Sequence, residues 1–263
     1  MSDTPYDPTF YAVQADGSQR SAQRIVPVVQ EWVDVRSVLD VGCGVGTFLS
    51  VFAARGVTDI QGVDGDYVPR DRLRIDPARF RPHDLAVPLD LGRRFDLVMS
   101  LEVAEHLPDG AADRFVESLC RHGHTVLFSA AVPRQGGTHH VNERWPSYWI
   151  PKFAARGYEV FDVIRPAVWE DDTVEYWYRQ NCLLFADAEG QAASPRLAAA
   201  RGEGLVPGAP DVVHPALFLS KTAEEAAVAQ ARTILETFLR LSREGGRYSF
   251  DPNPDGSVTI RRV

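Results

Sequence analysis

The sequence is poor in cysteine and lacks any long apolar run. Its three cysteines, Cys43, Cys120 and Cys182, lie far apart without paired spacing, which argues against a disulfide framework or a zinc cluster. The most apolar stretch, residues 125–132, is too short to span a bilayer. Residues 1–19 are polar and acidic, unlike a signal peptide. We therefore expect a cytoplasmic protein with no membrane partner.

Runs of basic residues are also lacking. The 28 Lys and Arg residues are outnumbered by 36 Asp and Glu residues, which gives a formal net charge of −8. Affinity for nucleic acid depends largely on clustered Lys and Arg, so we expect no nucleic-acid partner. With 263 residues, the chain is long enough for one sizeable core and an appendage.

Short apolar runs alternate with helical or turn-rich segments through the first two thirds of the chain. Seven runs, at 37–41, 60–63, 80–83, 95–100, 125–130, 158–163 and 182–186, predict strands of a mostly parallel sheet. Helices are predicted at 18–33, 46–55, 110–121 and 146–156. This alternation is typical of a doubly wound α/β fold with a seven-stranded sheet.

Composition divides the chain into four predicted parts. They are a flexible arm at 1–17, the main domain at 18–187, a linker or loop at 188–220 rich in Ala, Gly and Pro, and a C-terminal helix and β-hairpin extension at 221–263. Thr222 and Glu225 make a capping-box pattern for the helix, and Gly245 would end it. Within the main domain, the aromatic and acidic segment 169–181 predicts a loop over a pocket.

The segment 38–49 predicts a ligand-binding turn between the first strand and a helix. Its glycines at 42, 44 and 46 let a ligand approach the backbone, and the helix start adds free N–H groups. Asp40 precedes the turn and suits a cationic ligand, whereas it would disfavour a pyrophosphate. Gly46 is as well explained by helix packing as by ligand contact.

Acidic residues follow the next two predicted strands. Asp64 lies about twenty residues beyond the turn, at the place where nucleotide-binding α/β sheets hold the ribose hydroxyls. Asp84, at the end of the third strand, offers a carboxylate to an adenine amino group. The two residues together favour a nucleoside-containing ligand.

Polar clusters follow the fourth and fifth strands. If residues 101–108 are helical, Glu102, Glu105 and His106 lie on one face, where they could hold a divalent cation or act as acid and base. A polar helix start explains them equally well. His140 could complete a metal site or accept a proton. Nearby aromatic residues at 145, 148 and 149 could stack on an acceptor ring or cap the core.

In this order, the motifs resemble the class I S-adenosylmethionine-dependent methyltransferases over about residues 20–187. The resemblance implies methionine contacts around Asp40, Gly42 and Gly44, ribose binding by Asp64, and adenine contacts by Asp84 near Tyr67. The full set of expected cofactor contacts is Asp40, Gly42, Cys43, Gly44, Asp64, Gly65, Tyr67, Asp84, Leu85 and Leu101.

The Glu-x-x-Glu-His sequence at 102–106 is similar to one that holds a divalent metal in several families of this class. It implies a site for Mg²⁺ or another divalent cation formed by Glu102, Glu105, His106 and His140. The segments 128–131, 139–143 and 177–181 are similar to a bacterial subgroup that we associate with glycan and secondary-metabolite pathways.

The sequence thus predicts O-methylation of a small hydroxylated acceptor, such as a sugar, a nucleotide sugar or a secondary metabolite. His106, His140 and Glu102 are the predicted catalytic residues. An NAD-dependent oxidoreductase is the alternative enzyme, although Asp40 next to the turn and the short glycine spacing argue against it. A second alternative is a non-catalytic methyltransferase-like interaction module that docks through the C-terminal helix. More simply, that helix packs on its own domain or forms a homodimer contact.

Overall fold

The computed structural model describes residues 8–206, 208–243, 248–252 and 258–262, with side chains from Asp16 onward. The chain divides into two units, Met1–His214 and Pro215–Val263. In the described parts, no helix combines the length and the apolar character needed to cross a membrane.

The first unit is built on a seven-stranded sheet flanked by helices. Its strands are β1 (Ser37–Val41), β2 (Asp59–Asp64), β3 (Phe80–Pro82), β4 (Leu97–Leu101), β5 (Thr125–Ser129), β6 (Glu159–Phe161) and β7 (Leu183–Ala186). Its α-helices are α1 (Pro8–Trp32), α2 (Thr47–Ala54), α3 (Ala112–His122), α4 (Pro146–Ala154), α5 (Arg165–Val168), α6 (Tyr176–Asn181), α7 (Ala188–Ala193) and α8 (Pro195–Ala199).

The strand order is β3-β2-β1-β4-β5-β7-β6. Six strands run in one direction, and β7, between β5 and β6, runs in the opposite direction. The chain moves outward from β1 to β3 and then returns to place β4 beside β1. Ligands of open α/β sheets bind outside the carboxyl ends of the strands at such a switch point. The predicted doubly wound, mostly parallel sheet is therefore confirmed.

Alternate residues of the central strands pack into two separate cores. Val38 of β1 joins the core beneath α1 and α2, whereas its neighbour Leu39 joins the core beneath α3 and α4. Successive side chains of a strand point to opposite faces, so a strand buried on both faces must be apolar throughout. In the second core, the rings of Phe153 and Phe185 stack with centroids 4.0 Å apart.

The prediction of a loose arm at 1–17 is wrong for residues 8–17, which form the first part of α1. Tertiary contacts stabilise this part of the helix. The backbone N–H of Glu175 donates to the Ser21 hydroxyl, which in turn donates to the Gly17 carbonyl, and a Cβ at Gly17 would lie 2.3 Å from Glu175 Oε1. Composition alone does not reveal such a partner 150 residues away.

The predicted linker at 188–220 is wrong at its two ends, because α7 and α8 occupy residues 188–193 and 195–199 and a further helix begins at Pro215. The Asp187 carboxylate caps α7 by accepting a hydrogen bond of 2.9 Å from the backbone N–H of Gly190. Leu197 of α8 is fully buried in the first core. Similarly, residues 169–181 are not a plain loop, since α6 lies within them.

The second unit contains α9 (Pro215–Arg243) and the antiparallel strands β8 (Tyr248–Pro252) and β9 (Val258–Arg262). A C-terminal helix and a strand pair were both predicted. Thr222 is not the cap of this helix, because α9 begins seven residues earlier and the Thr222 hydroxyl donates to the Leu219 carbonyl. The predicted stop at 245 and the turn at 253–256 lie outside the described residues.

Candidate active site

A cavity of about 930 Å³ opens at the carboxyl edge of the sheet, beside the switch point between β1 and β4. Its volume is near the upper end of the range of ordinary ligand pockets. All ten residues predicted to contact the cofactor line it, which brings together segments from after β1, β2, β3 and β4. Their contact with a cofactor stays a prediction.

The glycine-rich turn forms one wall of the cavity. Gly44 has a φ of 51°, a conformation that favours glycine, and a Cβ built there would meet nothing within 4 Å. The absent side chain therefore leaves space for a ligand. Gly46 does not line the cavity, and its Cβ would lie 3.0 Å from Ile75. Of the two explanations for Gly46, the structure favours packing.

Asp64 joins the turn to the segment after β2. Its Oδ2 accepts a hydrogen bond of 2.7 Å from the backbone N–H of Gly44. Its Oδ1 accepts bonds of 2.6 Å from the backbone N–H of Gly65 and from the Tyr67 hydroxyl. Burial raises the pKa of Asp64, although these three hydrogen bonds act in the opposite direction. The predicted ribose-binding carboxylate is thus already oriented by the protein.

Asp40 is the second buried acid of this wall, with 5% of its surface exposed. Burial, and then the nearby charge of Asp64, raise its pKa to about 8. A cation in the cavity would favour the ionised form and offset this cost. The residue before the glycine turn is therefore suited to a positively charged ligand, as its position in the sequence suggested.

The segment after β3 forms the far end of the same wall. Asp84 and Leu85 line the cavity, and Asp84 Oδ1 accepts a hydrogen bond of 2.9 Å from the backbone N–H of Ala86. The bond closes a tight turn directly after the strand, which directs the chain along the rim of the cavity.

The segment after β4 is not the α-helix on which the shared face of Glu102, Glu105 and His106 depended. Glu102 has a φ of 55°, and only a short 3-10 helix, Ala104–His106, follows it. The left-handed residue turns the chain sharply at the strand end. As a result, Glu102 is separated from the other two side chains.

Glu102 instead belongs to a buried polar network. Its Oε1 accepts a hydrogen bond of 3.1 Å from Asn181 Nδ2, and its Oε2 one of 2.7 Å from Gln135 Nε2. Burial raises the pKa of Glu102 to about 7, against the lowering effect of these donors. Neither Gln135 nor Asn181 carried a signal in the sequence, because a lone amide has no spacing that marks it as functional.

Glu105, His106 and His140 form a compact cluster at the cavity. One potential ligand atom from each lies within 4.8 Å of the others, and the two imidazole rings are edge to face with centroids 4.9 Å apart. Glu102 is not part of this group, so the predicted four-residue metal set reduces to three. His140 reaches it from a loop after β5.

The cluster contains buried polar atoms that lack hydrogen-bond partners. Glu105 is fully buried with both carboxylate oxygens unpaired, and His106 Nδ1 is unpaired as well. Burial, and then the charge of Glu102, raise the pKa of Glu105 well above its usual range. Burial, and then His140, lower the pKa of His106 to about 4. Unpaired buried groups are costly, and a cation bound by these atoms would offset that cost.

Glu143 holds the loop that carries His140. Its Oε1 accepts bonds from His140 Nδ1 at 2.9 Å and from the backbone N–H of Gly136 at 2.7 Å, and its Oε2 accepts one of 2.7 Å from the N–H of Arg134. The proton of His140 therefore lies on Nδ1, which leaves the lone pair on Nε2. Glu143 was not among the predicted site residues, although its position three residues after His140 was a usable signal.

Aromatic side chains of α6 form the remaining wall. Tyr176 and Trp177 are half-buried and line the cavity with Tyr178. The aromatic residues suggested for stacking lie elsewhere. Trp149 is buried against Phe128 in the second core. Of the two interpretations of that aromatic group, the structure favours the cap of a core.

The sheet order, the glycine-rich turn at its switch point and the acidic residues after β2 and β3 define the fold of class I S-adenosylmethionine-dependent methyltransferases. A family model described as a methyltransferase domain matches residues 16–164, more than half of the chain. The chain belongs to this family, and the resemblance seen in the sequence is confirmed.

The relatives include ubiquinone biosynthesis O-methyltransferases. The protein from Pseudomonas syringae pv. tomato is 31% identical over 121 residues, which cover 40% of this chain and 51% of that protein. The Pseudomonas fluorescens protein is 27% identical over 196 residues, or 65% of this chain and 77% of that protein. The chain thus spans about half the length of the first relative.

Solved structures share the fold at low identity. The sugar N-methyltransferase KedS8 from a Streptoalloteichus species is 17% identical, with a TM-score of 0.54 over 71% of this chain and 95% of that chain. DesVI from Streptomyces venezuelae is also 17% identical, with a TM-score of 0.50 over 68% of this chain and 96% of that chain. The likeness shows the fold alone.

Proposed function

We propose that this chain transfers the methyl group of S-adenosylmethionine to a hydroxyl oxygen of a small acceptor, such as a sugar, a nucleotide sugar or a secondary metabolite. One observation carries the proposal. One cavity is lined both by a cofactor wall with Asp40 and Asp64 and by the cluster Glu105, His106 and His140. The O-methyltransferases among its relatives support the choice of oxygen.

Methyl transfer from a sulfonium is an in-line displacement in which the acceptor oxygen must lose its proton. The protein mainly positions the two reactants and accepts that proton. His140 is oriented for this role, since Glu143 holds Nδ1 and leaves Nε2 as the acceptor. The His106 imidazole is neutral at pH 7, because burial lowers its pKa to about 4. Of the two imidazoles, His140 is the proposed proton acceptor, because the low pKa of His106 makes it a weak base.

The cluster also fits a divalent cation. Glu105 and His106 supply buried atoms that have no hydrogen-bond partner, and His140 completes a set of one carboxylate and two imidazoles. The two imidazoles favour a transition metal such as zinc over magnesium, whereas the carboxylate also suits manganese. A bound cation would lower the pKa of a coordinated hydroxyl. In that case, the same three side chains hold the ion, and Glu143 orients His140 through Nδ1.

Binding and transfer assays test the proposal in two parts. In calorimetry, we expect S-adenosylhomocysteine to bind and NAD not to bind. If NAD binds and S-adenosylhomocysteine does not, the oxidoreductase alternative is favoured despite the family match. We expect His140→Ala and Glu105→Gln to abolish labelled methyl transfer while retaining S-adenosylhomocysteine affinity. Chelator-treated protein should lose activity and regain it with manganese. Full activity in chelator would contradict the metal part alone.

A non-catalytic interaction module is the other alternative that the sequence left open, and the match to a methyltransferase domain disfavours it. It would bind S-adenosylhomocysteine but transfer no methyl group to any small acceptor. The unpaired carboxylate of Glu105 disfavours it, because a module without chemistry gains nothing from a costly buried group.

A further inference from the structure

A ring of three hydrogen bonds joins the end of β4 at Glu102 to two segments that are distant in the sequence. Gln135 Nε2 donates to Glu102 Oε2 at 2.7 Å, and Asn181 Nδ2 donates to Glu102 Oε1 at 3.1 Å. Asn181 Nδ2 also donates to Gln135 Oε1 at 2.9 Å, which closes the ring. Gln135 and Asn181 are buried. Bonds of this kind are hard to replace, because a buried polar group that loses its partner finds no water instead.

The ring connects three segments that line one part of the cavity. We call this part the acceptor side; it consists of the cavity-lining residues within 102–107, 135–140 and 176–178. Glu102 begins the first segment, and Gln135 begins the second, which carries His140. Asn181 is the last residue of α6, the helix that contains the third segment. The position of each segment relative to the other two therefore depends on the ring.

The direction of each bond in the ring is fixed. An ionised carboxylate only accepts hydrogen bonds, so both amide nitrogens must face Glu102. The amide oxygen of Gln135 then faces Asn181 Nδ2 and the backbone N–H of Val132, which donates at 3.3 Å. The amide oxygen of Asn181 accepts from Gln180 Nε2 at 3.0 Å. An amide that turned over would place two donors or two acceptors together, so the exchange of a single atom disrupts the ring.

The loop that carries His140 needs such contacts, because its backbone is strained. Arg134 and His139 have left-handed φ angles of 71° and 60°, which non-glycine residues keep only where surrounding contacts impose them. Gln135 lies between these two residues. A Cβ built on Gly137 would lie 2.3 Å from His140 Nε2, so the imidazole rests directly on the backbone of the loop. A shift of the loop would therefore move the imidazole.

We propose that Gln135 and Asn181, directed by the Glu102 carboxylate, are positioning residues that hold the His140 loop and α6 in the arrangement needed for methyl transfer. The inference rests on the proposed function, and it gives Glu102 a role that requires no contact with the acceptor or with a metal ion. Asp40 and Asp64 belong to the cofactor wall and not to the ring. A disturbed ring should therefore impair transfer without changing cofactor affinity.

An exchange of the two side chains tests the inference. Glu102→Gln alone sets one amide nitrogen against another, and Gln135→Glu alone sets one carboxylate against another. The double variant Glu102→Gln/Gln135→Glu restores all three bonds with one of them reversed, because Asn181 still finds an oxygen on each side chain. Positioning by the ring therefore predicts rescue in the double variant, whereas a chemical role for a carboxylate at position 102 predicts none.

The tautomer of His140 reports the position of the loop without any acceptor. In ¹⁵N spectra of metal-free protein at pH 8.5, the wild type should show a protonated Nδ1 and an unprotonated Nε2, as the bond to Glu143 requires. The spectrum of His140→Gln identifies these signals. We expect each single variant to lose this separation, because a displaced ring no longer keeps its proton on Nδ1, and the double variant to recover it. Wild-type spectra in the single variants, or no recovery in the double variant, overturn the inference.

Transfer and binding assays separate the inference from the proposed function. With manganese added and catechol and methyl glucoside as acceptor probes, we expect kcat for labelled transfer to fall about tenfold or more in each single variant. In the double variant it should return to within about threefold of the wild type. The Kd for S-adenosylhomocysteine should stay unchanged in all four proteins, and a single variant that no longer binds it contradicts a role confined to the acceptor side. A wild type that methylates neither probe counts against the proposed function, while the His140 spectra still decide the inference.

Discussion

Replacing Asp40 by Asn should make the protein more stable, and increasingly so as the pH rises. The carboxyl pKa is about 8 in the folded protein and 3.8 in the reference state, because burial penalises the charge. Between these values the folded state holds a proton that the unfolded state has released. Stability is therefore lost as the pH rises from about 4 to about 8, and it stays constant above that.

The size of the effect follows from the two pKa values. Each pH unit between them costs the wild type about 1.4 kcal/mol of unfolding free energy, or about 4 kcal/mol accumulated by pH 7. In Asp40→Asn this group no longer titrates. Placing an amide at this position changes the unfolding free energy by an amount that does not depend on pH. That amount does not affect the slope, against pH, of the difference in unfolding free energy between Asp40→Asn and the wild type.

Urea unfolding at pH 5, 6 and 7 measures this slope. We expect the unfolding free energy of Asp40→Asn, relative to wild type, to rise by about 1.4 kcal/mol per pH unit. Asp34→Asn, which alters a carboxylate with 81% of its side chain exposed, is the matched control and should give a difference that does not change with pH. If the unfolding free energy of Asp40→Asn relative to the wild type is also independent of pH, the assignment of a protonated buried carboxyl at Asp40 is refuted.

Three further predictions concern the site and the core. Glu143→Gln leaves one acceptor oxygen for three donors, so we expect kcat for methyl transfer to fall about 10–100-fold while calorimetry shows unchanged S-adenosylhomocysteine affinity. Gly44→Val puts a branched side chain at a φ of 51° in the cofactor space, and we expect the Kd for S-adenosylhomocysteine to rise at least tenfold. Phe153→Ala removes a fully buried ring stacked on Phe185, which should cost about 3–5 kcal/mol in urea unfolding.

The sequence predicted most of the sheet because strands buried on both faces leave a strong local signal. Apolar runs marked β1, β4, β5 and β7 clearly, whereas β3 contains Arg81 and Pro82 and has only Phe80 buried. The glycine turn marked the cofactor wall. The predictions of secondary structure failed for segments that pack against residues far away in the sequence. Ser21 of α1 accepts a hydrogen bond from the backbone N–H of Glu175, and Leu197 of α8 packs into the first core.

The sequence predicted which residues line the candidate site, but it did not predict how all of them are arranged. Glu105, His106 and His140 come together as the motifs suggested, whereas the left-handed conformation of Glu102 excludes that residue from the group. No pattern in the sequence marks a non-glycine residue with positive φ, because surrounding contacts rather than its own preference impose the conformation. The amide partners of Glu102 were missed because a lone amide has no marking spacing, whereas Glu143, the partner of His140, had a usable position in the sequence.

The hydrogen bond between Tyr67 and Asp64 has a consequence for turnover. The phenol donates to Asp64 Oδ1, so a ribose hydroxyl that bound this oxygen would compete with Tyr67. Cofactor binding would then exchange one hydrogen bond for another, and the net gain from this contact would be small. After the reaction, the returning phenol would help to expel the spent cofactor. Tyr67→Phe should therefore lengthen the residence time of S-adenosylhomocysteine, which stopped-flow displacement can measure.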